Sequence, residues 1–133
     1  MPSLLDSDRL IDALNQAPDV LELIDHLADN GLAISVITYM EIYQGVLRSP
    51  TPEQASNDLD FLLRNIPILP VTAPIARRCA GMRETLRQQG RPVRTRALDL
   101  LIAATALEHQ LTLVTRNFED YHDIPGLVLY RET

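Results

Sequence analysis

Short apolar runs alternate along the chain with longer segments in which apolar residues recur every three or four positions. The short runs predict five β-strands, at 3–5, 32–37, 66–71, 111–115 and 127–130. The longer segments predict six helices, at 8–15, 20–29, 38–47, 53–65, 72–90 and 98–109, the fifth beginning at either Thr72 or Ala73 and ending near Gly90. Alternation of this kind is typical of a parallel sheet flanked by helices, so the predicted fold class is α/β.

Local signals predict where several of these elements begin and end. The Asn30-Gly31 pair predicts the end of the second helix. Thr38, with Glu41 three positions later, has the spacing of a capping box at the start of the third helix. Pro67 and Pro70 within the third apolar run indicate a short or edge strand, because proline cannot donate a hydrogen bond to a neighbouring strand.

Polar and acidic side chains follow the predicted strands. Asp6 comes directly after the first strand, Glu41 lies one helical turn beyond the second, and Asn117 and Asp120 follow the fourth. Asp99 opens a helix whose small and branched apolar residues indicate near-complete burial. Ligands of parallel α/β sheets bind at the carboxyl ends of the strands, where these side chains are expected to converge.

Each of these acids alone has a structural explanation, because carboxylates at helix N-termini bind free amides and complement the helix dipole. Several carboxylates at one sheet edge would repel one another unless a cation held them. The single Cys79 and the lack of a His pair at helical spacing disfavour zinc. Mg²⁺, or Mn²⁺ in its place, is therefore the expected ion, with Ser7 and Thr115 as candidate hydroxyls that orient its ligands.

The length and the charge distribution refine this prediction. A chain of 133 residues, 46% hydrophobic, suits one domain spanning 1–133. No apolar run approaches the roughly 20 residues that cross a bilayer, and the N-terminus lacks the pattern of a signal peptide, so we expect a cytoplasmic protein. The net charge is −6, but segment 74–96 carries +6 and the remainder −12. The basic segment is either a solvated helix face or a phosphate-binding surface beside an acidic metal site.

Four strings of residues together resemble the signature blocks of PIN-domain nucleases, most closely the VapC-type toxins. They are Leu4-Leu5-Asp6-Ser7-Asp8, Ser35-Val36-Ile37-Thr38-Tyr39-Met40-Glu41, Asp99-Leu100-Leu101-Ile102-Ala103-Ala104-Thr105-Ala106 and Leu113-Val114-Thr115-Arg116-Asn117. The resemblance spans essentially the whole chain in the right order. It implies a Rossmann-like sheet, a magnesium-dependent endoribonuclease that acts as the toxin of a type II pair, a cognate antitoxin and a homodimer.

The resemblance also implies roles for individual residues. Asp6, Glu41 and Asp99 fall on the three family acids, with Asp6 and Asp99 expected to hold the metal. The fourth acid lies among Asn117, Glu119 and Asp120, of which we favour Asp120 as the catalytic acid and Asn117 as a supporting residue. Asp8 stands where relatives often have Asn and adds a further charge.

The basic loop just before Asp99, at 91–97, is predicted to be exposed and to bind RNA. Its candidate phosphate ligands are Arg91, Arg94 and Arg96. We expect the tyrosines Tyr39, Tyr43 and Tyr121 to pack in the protein or at an interface rather than to stack on bases.

The leading hypothesis is hydrolysis of a structured RNA, such as a transfer RNA. A catalytically silent PIN-like module that binds RNA or protein is the alternative. A response-regulator-like phosphoacceptor is excluded because the chain has no lysine.

Overall fold

The computed structural model describes residues 2–131. The strands are β1 (Ser3–Leu5), β2 (Leu32–Ser35), β3 (Ile68–Leu69) and β4 (Thr112–Val114). The helices are α1 (Ser7–Leu14), α2 (Pro18–Ala28), α3 (Val36–Arg48), α4 (Pro52–Leu63), α5 (Ala73–Gln88), α6 (Ala97–Glu108) and α7 (Phe118–Tyr121), with a 3₁₀ turn at Arg94–Arg96.

The four strands form one parallel sheet in the order β3-β2-β1-β4. Strand β1 lies inside the sheet, with Leu4 opposite Ala33 of β2 and Leu113 of β4. Strand β3 lies at the edge, as its prolines predict. The fold class predicted from the sequence is therefore confirmed.

Successive residues of β1 face opposite sides of the sheet, and each side has its own core. Leu5 packs with apolar residues of α1, α2, α3 and α4, whereas Leu4 packs with those of α5 and α6. Within residues 2–131, no helix is both long enough and apolar enough to cross a membrane.

The third helix begins earlier than its capping-box spacing predicts. Ser35, which is fully buried, caps α3 by accepting a hydrogen bond from the Ile37 amide at 3.0 Å. The β-branched Val36 and Ile37 suggest a longer strand, but a capping hydroxyl at Ser35 lets the helix start at Val36. The prediction of Thr38 as the cap is therefore wrong, and Glu41 lies in the second turn of α3.

The predicted fifth strand at 127–130 is also wrong. This segment makes a single parallel bridge, between Leu129 and Leu113 of β4. The Leu113 amide donates to the Val128 carbonyl, and the Tyr130 amide donates to the Leu113 carbonyl, both at 2.9 Å. Pairing around one residue is too short to form a strand.

Candidate active site

Asp6 lies at the junction of β1 and α1, where backbone contacts hold it firmly. Its amide donates to the Val114 carbonyl at 2.9 Å, which ties it to the end of β4. Its side chain caps α1 by accepting from the Ser7 amide at 2.8 Å. Only 4% of Asp6 is exposed. The carboxylate is therefore fixed at the carboxyl edge of the sheet.

Hydroxyl groups hold two of the predicted acids. Thr115 Oγ1 donates to Asp6 Oδ2 at 2.8 Å, and Ser7 Oγ donates to Glu41 Oε1 at 2.6 Å. The Asn117 amide in turn donates to Thr115 Oγ1 at 3.0 Å. Ser7 and Thr115 thus contact the acids that they are predicted to orient, while Asn117 supports Thr115 through its backbone.

Asp99 lies in the first turn of the buried helix α6, as predicted. Its Oδ1 accepts a hydrogen bond from the Tyr121 hydroxyl at 3.2 Å. Burial raises the pKa of Asp99 and is the largest effect, while the hydrogen bond from Tyr121 lowers it. The nearby carboxylates of Asp120 and Glu41 raise this pKa further, and Arg96 lowers it slightly. Asp120 and Glu41 are therefore close enough to Asp99 for their charges to act on it.

Tyr121 is a site residue that the sequence reasoning missed in this role. It is 1% exposed and packs in the core on the α5 and α6 side of the sheet. Burial, together with the charges of Asp6 and Asp99, raises the pKa of its hydroxyl. The prediction that Tyr121 packs inside the protein is confirmed. Its sequence position beside Asp120 does not reveal that its hydroxyl bonds to Asp99.

The short helix α7 and its N-cap residue Asn117 carry the candidates for the fourth position. Asp120 is exposed, and its charge acts on Asp99. The hydrogen bond that Glu119 accepts, from the His122 ring, is made by its backbone carbonyl. This arrangement favours Asp120 over Glu119 as the fourth acid. The role of Asp120 in catalysis stays a prediction.

Asp8, the additional acid, is bound mainly by the segment after β4. Its Oδ2 accepts from the Arg116 amide at 2.9 Å and lies 3.9 Å from the Arg116 guanidinium. Arg116 also pairs with Asp12 at 3.3 Å. Asp8 nevertheless contributes to the raised pKa of Asp6, so its charge adds to the negative potential of the site.

The electrostatics of the site suit a hard cation. Burial raises the pKa of Asp6 to about 6, although hydrogen bonds from Thr115 and Ser7 act in the opposite direction. Asp6 and Asp99 are both desolvated, so their charged forms are less stable than they would be in water. Their oxygen donors match the preference of Mg²⁺ and Mn²⁺.

These acids do not form a complete metal cage. Among residues 2–131, no three acidic, histidine or cysteine side chains lie close enough together to hold an ion by themselves. Glu41, the third family acid, is bonded to Ser7 Oγ. Two carboxylates completed by waters are a common way to bind magnesium, so the donor set fits such an ion without a cage.

The predicted RNA-binding loop is less exposed than expected. Arg96 has 12% of its side chain exposed and binds both carboxylate oxygens of Asp123, at 2.7 and 2.9 Å. It also donates to the Asp120 carbonyl at 2.7 Å. Arg91 pairs with the same Asp123 at 3.1 Å, whereas Arg94 is exposed. The prediction of an exposed loop holds for Arg91 and Arg94 but is wrong for Arg96, which ties the loop to the segment after α7.

Replacing Arg96 with Met should lower the free energy of unfolding by about 2 kcal/mol. The variant keeps the aliphatic stem but removes the ion pair between Arg96 and the largely buried Asp123. Among the described residues, Arg91 is then the remaining ion-pair partner of Asp123. Urea denaturation measures the difference. Arg87→Met is the control, since the Arg87 pair with Glu84 is exposed and should contribute nothing measurable. Equal losses in both variants would contradict a structural role for Arg96.

The comparisons with known proteins agree with this fold. Residues 3–126 match the PIN domain, so the chain belongs to the PIN-domain family. Within that family its relatives are VapC proteins, as the four sequence blocks predict. It is 34% identical to Ribonuclease VapC2 of Rickettsia felis over 130 residues, covering 95% of this chain and 94% of the relative.

Further relatives and solved structures support the same grouping. The tRNA(fMet)-specific endonuclease VapC of Shigella flexneri is 28% identical, over 93% of this chain and 92% of its own length. The crystal structure of VapBC2 from Rickettsia felis bound to a promoter DNA fragment matches with a TM-score of 0.90 and 32% identity, covering 100% of both chains. DNA-bound VapBC from Salmonella typhimurium matches with a TM-score of 0.87 at 26% identity, covering 98% of both chains.

Proposed function

We propose that this chain is a magnesium-dependent endoribonuclease and the toxin of a toxin–antitoxin pair. The observation that carries the proposal is the presence of two desolvated carboxylates in a PIN domain, Asp6 at the end of β1 and Asp99 in the first turn of α6, close enough for the charge of Asp99 to act on Asp6. Relatives named as ribonucleases support the activity. Isolated helix caps would not need to lie this close together, with Asp6 buried and Asp99 partly buried.

The chemistry is hydrolysis of an RNA phosphodiester bond. Asp6 and Asp99 would hold Mg²⁺ or Mn²⁺, with Glu41 and Asp120 contributing directly or through water. When bound, the ion supplies a Lewis acid and an activated water. Thr115 holds Asp6, and Ser7 holds Glu41, at 2.8 and 2.6 Å. These bonds limit rotation of the carboxylates before the ion and the RNA arrive.

The basic residues that precede Asp99 supply a surface for the RNA backbone. Arg94 is exposed, and the side chain of Arg91 is 49% exposed despite its pair with Asp123. We assign phosphate binding mainly to these two residues, and assign Arg96 a smaller part because Asp123 occupies its guanidinium. Charged contacts of this kind position RNA without reading its sequence. A structured RNA such as a transfer RNA is the proposed substrate, consistent with the name of one relative.

A cognate antitoxin and a second copy of this chain are the proposed protein partners. The matching solved structures are VapBC complexes, which supports an antitoxin. Two large apolar side chains, Leu47 and Phe61, are 65% and 67% exposed. They lie on α3 and α4, two helices that pack against each other, and a contiguous apolar patch there would be a surface for binding another protein.

Metal removal tests the proposed activity. Purified protein should cleave transfer RNA in the presence of Mg²⁺ or Mn²⁺, and cleavage should stop with EDTA and return when excess metal is added. Denaturing gels with end mapping of the products provide the measurement. Intact RNA at every metal concentration, from protein whose circular dichroism shows a folded α/β domain, would favour the catalytically silent module instead.

A further inference from the structure

The hydroxyl of Tyr121 lies inside the protein, next to the acids of the site. Tyr121 is 1% exposed, yet its Oη lies 3.2 Å from Asp99 Oδ1. The ring packs in the same core as Leu4 and Leu113, the central residues of β1 and β4. A ring packed in this way has few alternative rotamers, so its hydroxyl stays at one place relative to the strand ends.

We propose that Tyr121 is a positioning residue that orients the Asp99 carboxylate for binding a divalent cation. This inference rests on the proposed function. The hydroxyl occupies one lone pair of Oδ1 and restricts rotation of the carboxyl group, which leaves the remaining lone pairs of Asp99 for the ion. A phenol donates a hydrogen bond without carrying a charge, so it orients the carboxylate without neutralising it.

The backbone around Tyr121 is held by a separate set of contacts. Arg96 binds the Asp120 carbonyl, one residue before Tyr121, at 2.7 Å, and the Asp123 carboxylate, two residues after it, at 2.7 Å. The four-residue helix α7 is thereby tied to the residue that precedes α6. Tyr121 and Asp99, which are 22 positions apart, are consequently held in a fixed relative position.

Tyr121→Phe tests the proposal, because it removes the hydroxyl and retains the packed ring. Calorimetric titration with Mn²⁺, in the absence of RNA, should give a dissociation constant about 10- to 100-fold higher than that of the wild type. Tyr130→Phe is the matched control, since Tyr130 packs against the other core and should bind Mn²⁺ like the wild type. Circular dichroism in EDTA checks that both variants are folded.

A second measurement separates positioning from a general structural defect. The rate of RNA cleavage by Tyr121→Phe should be low at limiting Mn²⁺ and should approach that of the wild type when Mn²⁺ saturates the weakened site. A variant that binds Mn²⁺ with wild-type affinity would overturn the role of Tyr121 and leave the nuclease proposal intact. Wild-type protein that neither binds Mn²⁺ nor cleaves RNA would instead overturn the proposed function itself.

Discussion

Replacing Asp99 with Asn should reduce the rate of RNA cleavage by about 10³-fold, which corresponds to the loss of several kcal/mol of metal-dependent stabilisation. Asn has nearly the same shape, and its amide oxygen can still accept the Tyr121 hydroxyl that Asp99 Oδ1 accepts at 3.2 Å. The fold should therefore survive, while the charge that holds the cation is lost. Single-turnover cleavage of transfer RNA at fixed Mg²⁺ measures the effect.

The matched control for this experiment is Asp60→Asn. Asp60 is an exposed acid on α4, so its substitution removes the same charge from a different element. Its cleavage rate should equal that of the wild type. An Asp99→Asn variant that is equally active would show that the metal and the chemistry lie elsewhere, whereas similar losses in both variants would indicate an effect of overall charge.

The parts of the fold that the sequence predicts are those that depend on neighbouring residues. Gly31 ends the segment after α2 with a positive φ of 96°, a conformation that glycine adopts without strain. The prolines at 67 and 70 correctly place β3 at the edge of the sheet. The acids after the strands were identifiable because the carboxyl ends of parallel strands share one edge.

The features that the sequence does not predict depend on contacts between distant residues. Tyr121 bonds to Asp99, which is 22 positions away along the chain. Arg96 bonds to Asp123, which is 27 positions away. Neither pair lies on one helix face or one strand, so no periodicity indicates it. The start of α3 was missed for a different reason: Val36 and Ile37 favour a strand locally, and the Ser35 cap overrides that preference.

The substitution Asp6→Asn should stabilise the metal-free protein at neutral pH while it abolishes metal-dependent activity. Burial raises the pKa of Asp6 to about 6 in the folded protein, from an ordinary value of 3.8, which corresponds to a cost of about 3 kcal/mol for the ionised group at pH 7. Asn is uncharged and avoids that cost. Its amide oxygen can accept from the Ser7 amide, as Asp6 Oδ1 does at 2.8 Å.

The sign of the pH dependence follows from the same values. Above pH 6 the Asp6 carboxyl is ionised in both folded and unfolded chains, and the folded state carries the full cost of burying the charge. As the pH falls through 6 the folded protein binds a proton, so the Asp6 contribution to stability increases until about pH 4, where the unfolded chain is protonated as well. The advantage of Asp6→Asn should be largest at pH 7 and vanish near pH 4.

Urea denaturation in EDTA at pH 7, 6, 5 and 4 measures this difference, with Asp60→Asn again as the control for an exposed acid. Addition of Mg²⁺ at pH 7 should stabilise the wild type and not Asp6→Asn, because an ion that binds only the folded state shifts the equilibrium toward it. A variant less stable than the wild type at pH 7 in EDTA would mean that the hydrogen bonds of Asp6 outweigh the cost of burying its charge. In that case the carboxylate would be a structural cap, and the case for a cation site at this sheet edge would rest on Asp99 alone.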